Sequence, residues 1–188
     1  LHFFFIVSAT SFFYFLSLHD ALPILGTGSL GSKMAEMIVP AVCEKIHSYK
    51  AQSSTVFMTL DTHFKDYLET PEGKKLPVEH CIKGTDGWQP ETQVAEAIGG
   101  SAEVYEKSTF GSAELAQHLA EITKAGDEIE LCGLCTDICV VSNALLIKAF
   151  CPECEVIVDA NACAGVTEER HKAALVTMAS CQCRIDNF

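Results

Sequence analysis

Apolar positions along the chain alternate between runs of strand length and stretches with helical spacing. Mostly apolar runs, which predict buried strands, lie at 12–18, 55–60, 128–132 and 155–158. Between the first two runs, apolar residues recur at the spacing of one helix face, namely at Met34, Ile38, Val42, Ile46 and Tyr49. Strands that are apolar along most of their length and alternate with helices predict an α/β fold with a parallel sheet covered on both faces.

Residues with capping preferences set the ends of the predicted helices. Ser32, Ser112 and Thr167 can cap helices that run to about residues 49, 124 and 180. A further helix is predicted at 137–149, and two weaker strands at 103–106 and 182–185. Residues 62–90 form a long loop rich in Pro, Gly, His and charge, and loops of this length in compact domains are usually functional or disordered.

The composition is that of an acidic globular protein. The chain has 188 residues, with 13 basic against 25 acidic side chains and a net charge of −12. This charge argues against nucleic acid and anionic membrane as partners and favours a small molecule. The ten cysteines indicate free thiols in a reducing, cytoplasmic setting. The pairs Cys132/Cys135 and Cys151/Cys154 leave a structural zinc site as an alternative.

The first 25 residues differ from the rest. Six of the eleven phenylalanines fall at positions 3–15, and no Lys or Arg occurs before Lys33. A signal peptide would have a basic start, and the apolar stretch 1–18 is slightly short for a membrane helix, which needs ~20 residues. We therefore divide the chain into an atypical segment, 1–25, that is either non-native or supplies the first strand, and a domain at 26–188.

Chemistry-bearing residues follow the predicted strands, where parallel sheets bind ligands. Asp61 and His63 close one strand and His80 lies in the long loop, so the three can converge on Zn, Fe or Mn. The alternative is an Asp that caps the loop beside solvated histidines.

Two further residues lie at the predicted sheet edge. Cys139 is predicted at a helix N-terminus, where the helix dipole lowers a thiol pKa, although a buried packing role is the alternative. Lys107 is either a surface charge or, if it points inward, a partner for a carboxylate or a thiolate.

Several motifs in a fixed order resemble the isochorismatase-like cysteine hydrolases, and among them the nicotinamidases. They are Gly28-Ser29-Leu30, Asp61-Thr62-His63, His80-Cys-Ile-Lys-Gly-Thr85, Lys107-Ser-Thr-Phe-Gly-Ser112, Gly133-Leu-Cys-Thr-Asp-Ile-Cys-Val140 and Ala164-Gly-Val-Thr167. The resemblance covers roughly Gly26 to the end. It implies a three-layer α/β sandwich with a mainly parallel sheet of about six strands and helices on both faces.

The resemblance also implies a set of site residues. Its Asp–Lys–Cys triad falls on Asp20, Lys107 and Cys139, and Asp20 stands eight residues before Gly28 as the family pattern requires. Around it the chain departs from the pattern, with Leu22, Ile24 and Leu25 in place of Gln, Asp and Phe. The metal ligands fall on Asp61, His63 and His80. Glu72 matches an acidic residue that reaches the metal through water.

The same resemblance assigns the remaining parts of the site. Backbone N–H groups of Cys135 and Cys139 would receive an oxyanion, and the Leu134–Cys135 bond would be cis. Trp88 and Leu134 are the candidate substrate-pocket residues.

The implied function is hydrolysis of nicotinamide to nicotinate and ammonia in NAD salvage, through a cysteine thioester and with one divalent metal ion. Zinc is the expected ion, with iron and manganese as alternatives. We expect a small-molecule amide as partner, no nucleic acid and no membrane, and leave a homo-oligomer open. The alternatives are another small-amide or isochorismatase-like hydrolase, a non-catalytic member inactivated by the altered N-terminus, and a membrane-tethered domain. Every hypothesis in which the protein is a hydrolase requires Cys139 and Lys107 to lie together near His63.

Overall fold

The computed structural model describes residues 33–188 in full and the backbone of two strands, at 3–8 and 11–17. Three sequence predictions lie outside the described residues: the triad candidate Asp20, the motif Gly28-Ser29-Leu30 and the helix cap Ser32.

The described strands form one seven-stranded sheet. They are β1 (Phe3–Ser8), β2 (Ser11–Ser17), β3 (Thr55–Asp61), β4 (Glu103–Lys107), β5 (Glu128–Leu134), β6 (Glu155–Ala164) and β7 (Arg184–Asp186). Their order is β4-β3-β1-β2-β5-β6-β7, and β2 also pairs in parallel with β3 and β5. The pairs β3–β4, β5–β6 and β6–β7 are also parallel, whereas β1 is antiparallel to each of its partners, β2, β3 and β5. The mainly parallel sheet is confirmed, and β1 is the strand that the sequence pattern did not predict.

Five α-helices of the described chain cover the sheet. They are α1 (Lys33–Ala51), α2 (Thr92–Ile98), α3 (Ala113–Ile122), α4 (Val141–Phe150) and α5 (Glu168–Ser180). Helices α1 and α2 contact each other, and α4 contacts both α3 and α5, so the helices form two groups. This arrangement confirms the three-layer sandwich with helices on both faces.

Burial follows the predicted hydrophobic pattern. Strands β3, β5 and β6 are buried along nearly their whole length, as expected for central parallel strands. Strand β4 is at the edge and is mostly exposed except at Tyr105 and Lys107. On α1, Ile38, Val42 and Ile46 are buried against the sheet as predicted, while Pro40 is exposed and the helix continues through it.

Three elements differ from the predicted ones. Strand β6 continues to Ala164, beyond the predicted end at residue 158. Helix α2 was not predicted; the side chain of Glu91 accepts the N–H of Val94 at its start, and Gly99 ends it in a left-handed conformation. The predicted helix at 137–149 is divided into a π-helical turn, Thr136–Val140, and α4.

A buried ionic cluster connects α1 to the sheet. The Lys45 ammonium lies 2.5 Å from Glu130 on β5 and 2.6 Å from Asp159 on β6. The hydroxyl of Tyr49 donates to the second oxygen of Glu130 at 2.8 Å. The two buried carboxylates share the Lys45 ammonium, and Tyr49 and Asn187 donate further hydrogen bonds to Glu130 and Asp159, so these contacts fix the position of α1 on the sheet.

Replacing Lys45 should destabilise the fold strongly. The variant Lys45→Met leaves Glu130 and Asp159 buried without their cation, and we expect a loss of about 3–5 kcal/mol in the free energy of unfolding, measured by urea denaturation. Lys50→Met is the matched control on the same helix, because Lys50 is exposed and its ammonium binds only the carbonyls of Ala97 and Ile98 among its described bonds. Equal losses in the two variants would contradict a special role for the cluster.

Candidate active site

The parallel pairing of β3 and β4 places two charged residues side by side at the carboxyl edge of the sheet. Asp61 and Lys107 are register partners at the last position of each strand. The N–H of Thr62 donates to the carbonyl of Lys107 at 2.7 Å, so the pairing continues one residue past the strand end. Cys139 reaches the same edge from the π-helical turn that follows β5.

The Lys107 ammonium contacts both the carboxylate and the thiol. Its Nζ donates to Asp61 Oδ1 at 3.1 Å, to the carbonyl of Thr109 at 3.1 Å and to Cys139 Sγ at 3.8 Å. Asp61, Lys107 and Cys139 are all buried. Lys107 therefore points inward, and the predicted convergence of cysteine and lysine is observed.

Burial and charge act against each other in this cluster. Burial raises the pKa of Asp61 and is the largest single effect, but the Lys107 ammonium and the His63 imidazole oppose it, and the net pKa lies well below its usual range. Burial likewise would lower the pKa of Lys107, yet the Asp61 carboxylate brings the net shift upward. Both groups are therefore charged at neutral pH.

The expected lowering of the Cys139 pKa is wrong. Burial raises the pKa of this thiol to about 11, and the opposing effect of Lys107 is smaller. Cys139 lies within the π-helical turn and is fully buried, rather than at the exposed start of a regular helix. Desolvation of the thiolate therefore outweighs the nearby positive charge.

The long loop is folded back so that its two histidines meet. The N–H of His63 donates to the carbonyl of Cys81, and the N–H of Lys83 donates to the carbonyl of His63, both at 2.9 Å. These bonds form an isolated parallel bridge between His63 and Ile82. Cys81 has a φ of 52°, an uncommon value for a residue other than glycine, at the turn between His80 and the bridge.

Four acidic and imidazole groups surround one small space. The Nε2 atom of His63 lies 3.5 Å from Asp61 Oδ2 and 3.9 Å from Glu72 Oε1. The Nε2 atom of His80 lies 3.9 Å from Asp61 Oδ2 and 3.8 Å from Glu72 Oε1. Glu72 thus lies within 3.9 Å of both imidazoles, and its action through water stays a prediction.

These groups fit a divalent metal ion. The Nε2 atoms of His63 and His80 are buried and have no hydrogen-bond partner among the described residues. Burial lowers the pKa of His80, which favours the neutral imidazole that binds metals. Two imidazole nitrogens with two carboxylates form a donor set suited to Zn, Fe or Mn. Asp61, His80 and the Cys81 thiol form a second overlapping group, and within residues 33–188 neither CxxC pair belongs to such a group.

Neighbouring residues orient the imidazoles. The Nδ1 atom of His80 is 2.8 Å from the carbonyl of Val78, so its Nε2 is the nitrogen directed at the cluster. The buried ring of Tyr67 packs 4.7 Å from the His63 ring and 4.9 Å from the His80 ring. Gly73 permits this arrangement, because a Cβ at that position would lie 2.0 Å from the carbonyl oxygen of Tyr67.

A cavity of about 360 Å³ opens beside the histidine cluster. Its lining consists of Thr62, His63, Phe64, Asp66, Tyr67, Thr70, Pro71, Glu72, Ser108 and Thr109. The predicted pocket residues Trp88 and Leu134 are not among them. Trp88 instead donates its indole N–H to Oγ1 of Thr62, the residue between Asp61 and His63 in the sequence, at 3.0 Å. The pocket roles of Trp88 and Leu134 stay predictions.

The turn before Cys139 has the expected backbone geometry at one bond. The Leu134–Cys135 peptide is cis, as the family resemblance implies. The carbonyl of Cys135 accepts the N–H groups of Ile138 and Val140 at 3.0 and 3.1 Å. The role of the Cys135 and Cys139 N–H groups as oxyanion donors stays a prediction.

Sequence reasoning missed residues that support the site without chemistry of their own. Thr109 binds Lys107 through a backbone carbonyl and Tyr67 packs on the histidines, and neither role leaves a mark in the sequence. Asn143 hydrogen-bonds the carbonyl of Cys139, and its position four residues later on a helix was the one available signal.

Fold and site together define an α/β protein with a buried cysteine, lysine and carboxylate beside a histidine cluster suited to a metal ion. A family model described as Isochorismatase domain matches residues 14–185, and the chain belongs to this family. The match begins inside the segment 1–25. The chain is 27% identical over 154 residues to the Bacillus subtilis (strain 168) "Uncharacterized isochorismatase family protein PncA", covering 74% of this chain and 78% of that protein.

Solved structures share the fold. The nicotinamidase/pyrazinamidase PncA from Bacillus subtilis has a TM-score of 0.79 at 22% identity and covers 92% of this chain and 97% of its own. The pyrazinamidase/nicotinamidase from Streptococcus mutans UA159 has a TM-score of 0.79 at 23% identity, with coverage of 90% and 97%. The pyrazinamidase of Pyrococcus horikoshii in complex with zinc has a TM-score of 0.76 at 23% identity, with coverage of 92% and 97%.

The described α-helices range from 7 to 19 residues in length. None of those in the described part of the chain combines the length and the apolar character needed to cross a bilayer.

Loss of one histidine should abolish stabilisation by metal. Zinc at about 100 times its Kd should stabilise the wild-type protein by about 2.7 kcal/mol, measured as a shift in thermal unfolding. His80→Ala removes a ligand, so the shift should largely disappear and the bound zinc measured by elemental analysis should fall. His47→Ala, an exposed histidine on α1, is the matched control. A zinc-dependent shift that His80→Ala leaves intact would exclude this cluster as the metal site.

Proposed function

We propose that the protein is an amidohydrolase of the nicotinamidase type, which converts nicotinamide to nicotinate and ammonia. The observation that carries this proposal is the contact of the Lys107 ammonium with both Cys139 Sγ, at 3.8 Å, and Asp61, whose other oxygen faces the histidine cluster. The proposed nucleophile and the candidate metal site are thus connected through the ion pair of Lys107 and Asp61. The names of the similar solved structures support this substrate class.

In the proposed reaction, Cys139 attacks the carboxamide carbon of the substrate. A carbon–sulfur bond forms, the carbonyl oxygen takes the negative charge, and the N–H groups of Cys135 and Cys139 are the proposed donors to it. The carbon–nitrogen bond then breaks, and the amine leaves as ammonia with the proton taken from the thiol. Water cleaves the resulting thioester, giving the carboxylic acid and the free thiol.

The thiol needs a proton acceptor. With a pKa of about 11, Cys139 is protonated at neutral pH, so a general base must take its proton as the bond forms. The family resemblance assigns this role to Asp20, which lies outside the described residues. Lys107 would hold that carboxylate ionised and stabilise the thiolate as it develops.

Asp61, His63, Glu72 and His80 would hold a divalent metal ion. When bound, such an ion supplies Lewis-acid chemistry to a substrate or a water molecule beside it. Zinc is the favoured ion, because the donor set suits it and a similar pyrazinamidase is described in complex with zinc. Direct binding by Glu72 agrees better with its distances of 3.8 and 3.9 Å from the two imidazoles than action through water does. We extend the proposal to a role in NAD salvage and to a cytoplasmic location, in keeping with the many free thiols.

Nicotinamide deamidation should depend on the Cys139 thiol. We expect Cys139→Ala to lower kcat on the order of 10³-fold or more, measured as ammonia release from nicotinamide with zinc present. Cys132→Ala is the matched control, because it removes another fully buried thiol, on strand β5. No described contact joins the Cys132 thiol to Lys107. The activity of this variant should stay near that of the wild type.

A panel of amides tests the substrate class. Pyrazinamide and an N-carbamoyl amino acid are assayed beside nicotinamide, and nicotinamide or pyrazinamide should give the higher kcat/KM. Preference for the carbamoyl substrate would redirect the proposal to another branch of the family. Ammonia release from nicotinamide at the wild-type rate in Cys139→Ala would refute the assignment of Cys139 as the nucleophile.

A further inference from the structure

Asn143 joins two segments of the site that are distant in sequence. It lies on α4, one turn after Cys139, and is almost fully buried, with 1% exposure. Its side-chain Nδ2 donates to the carbonyl of Cys139 at 3.0 Å and to the carbonyl of Phe110 at 2.9 Å. Its Oδ1 accepts the N–H of Ser112 at 2.8 Å. Two carbonyls and one N–H surround the amide, so its orientation is determined by its partners.

The segment that Asn143 holds is the one that positions the lysine. Residues 108–112 connect β4 to α3 and begin directly after Lys107, and the carbonyl of Thr109 in this loop accepts a hydrogen bond from the Lys107 ammonium. The loop also packs closely on α4, since a Cβ at Gly111 would lie 3.4 Å from Leu146 and 3.8 Å from the Ser142 carbonyl. The Asn143 amide therefore connects the loop that binds the Lys107 ammonium to the backbone of Cys139.

We propose that Asn143 is a positioning residue for this reaction: its amide fixes the loop after Lys107 against the backbone of Cys139 and so keeps the ammonium beside the thiol. This inference rests on the proposed function. The distance at stake is the 3.8 Å between Lys107 Nζ and Cys139 Sγ, and shifts near 1 Å in a reacting group change rates greatly. Asn143 does not touch the histidine cluster in any described contact, so metal binding should be independent of it.

Two substitutions at Asn143 remove its hydrogen bonds to different extents. Asn143→Leu has a similar size and keeps none of the three bonds, whereas Asn143→Thr keeps one hydroxyl that can donate to one carbonyl. We expect kcat for nicotinamide to fall about 10- to 100-fold in Asn143→Leu and less in Asn143→Thr, with KM and bound zinc nearly unchanged. Ser112→Ala is the matched control, because it removes the Ser112 hydroxyl that accepts the Leu115 N–H but keeps the backbone bond to Asn143.

A second measurement separates positioning from a general loss of structure. The rate of Cys139 alkylation by iodoacetamide is followed against pH by mass spectrometry of the peptide that contains it. Moving the ammonium away from sulfur should shift the midpoint of this profile to higher pH in both Asn143 variants and leave it unchanged in Ser112→Ala. Thermal unfolding of each variant gives its folded fraction.

Each outcome decides the proposal. A lower kcat with a raised midpoint in the folded Asn143→Thr variant supports it, even if Asn143→Leu does not fold. An unchanged midpoint, with activity lost only in proportion to the unfolded fraction, would show a purely structural residue and overturn it. If the wild-type protein hydrolyses none of the amides, the proposed function fails, while the alkylation midpoints still decide whether Asn143 positions the thiol and the ammonium.

Discussion

The arrangement of the site depends on one buried ion pair, between the Lys107 ammonium and the Asp61 carboxylate, at 3.1 Å. Neither charge would be tolerated alone in this interior, and each keeps the other ionised. The two oxygens of Asp61 face different neighbours, because Oδ1 accepts from Lys107 while Oδ2 lies 3.5 Å from His63. The carboxylate thereby connects Lys107, which contacts Cys139, to the histidine cluster suited to a metal ion.

The loop at 62–90 supplies the second half through tertiary contacts, with little regular structure. Its bridge between His63 and Ile82 brings two imidazoles together, and the buried Tyr67 ring fills the space behind them. Glu72 lies within 3.9 Å of both imidazoles and completes the cluster. The two buried Nε2 atoms of this loop are directed at one small space, where a cation would satisfy them.

Elements that depend on local pattern could be predicted from the sequence, and those that depend on distant partners could not. The apolar runs of β3 and β5 and the periodic face of α1 predicted their own burial, and parallel strands then bring Asp61, Lys107 and Cys139 to one edge. Strand β6 seemed to end at the charged Asp159, because the cation that neutralises it comes from Lys45 on α1. The position of Glu72 beside the imidazoles depends on how the chain folds around Tyr67 and Gly73, which no local pattern predicts.

The resting state of the thiol follows from the same competition between burial and charge. The Lys107 ammonium lowers the pKa of Cys139, but by less than burial raises it. The Asp61 carboxylate, which lies closer to Lys107 than the thiol does, raises that pKa further. In the proposed reaction, a base therefore removes the proton from the thiol while the ammonium is already in place. For that reaction the position of the Lys107 ammonium matters as much as its charge, which is why the proposal assigns a positioning role to Asn143 and the loop it holds.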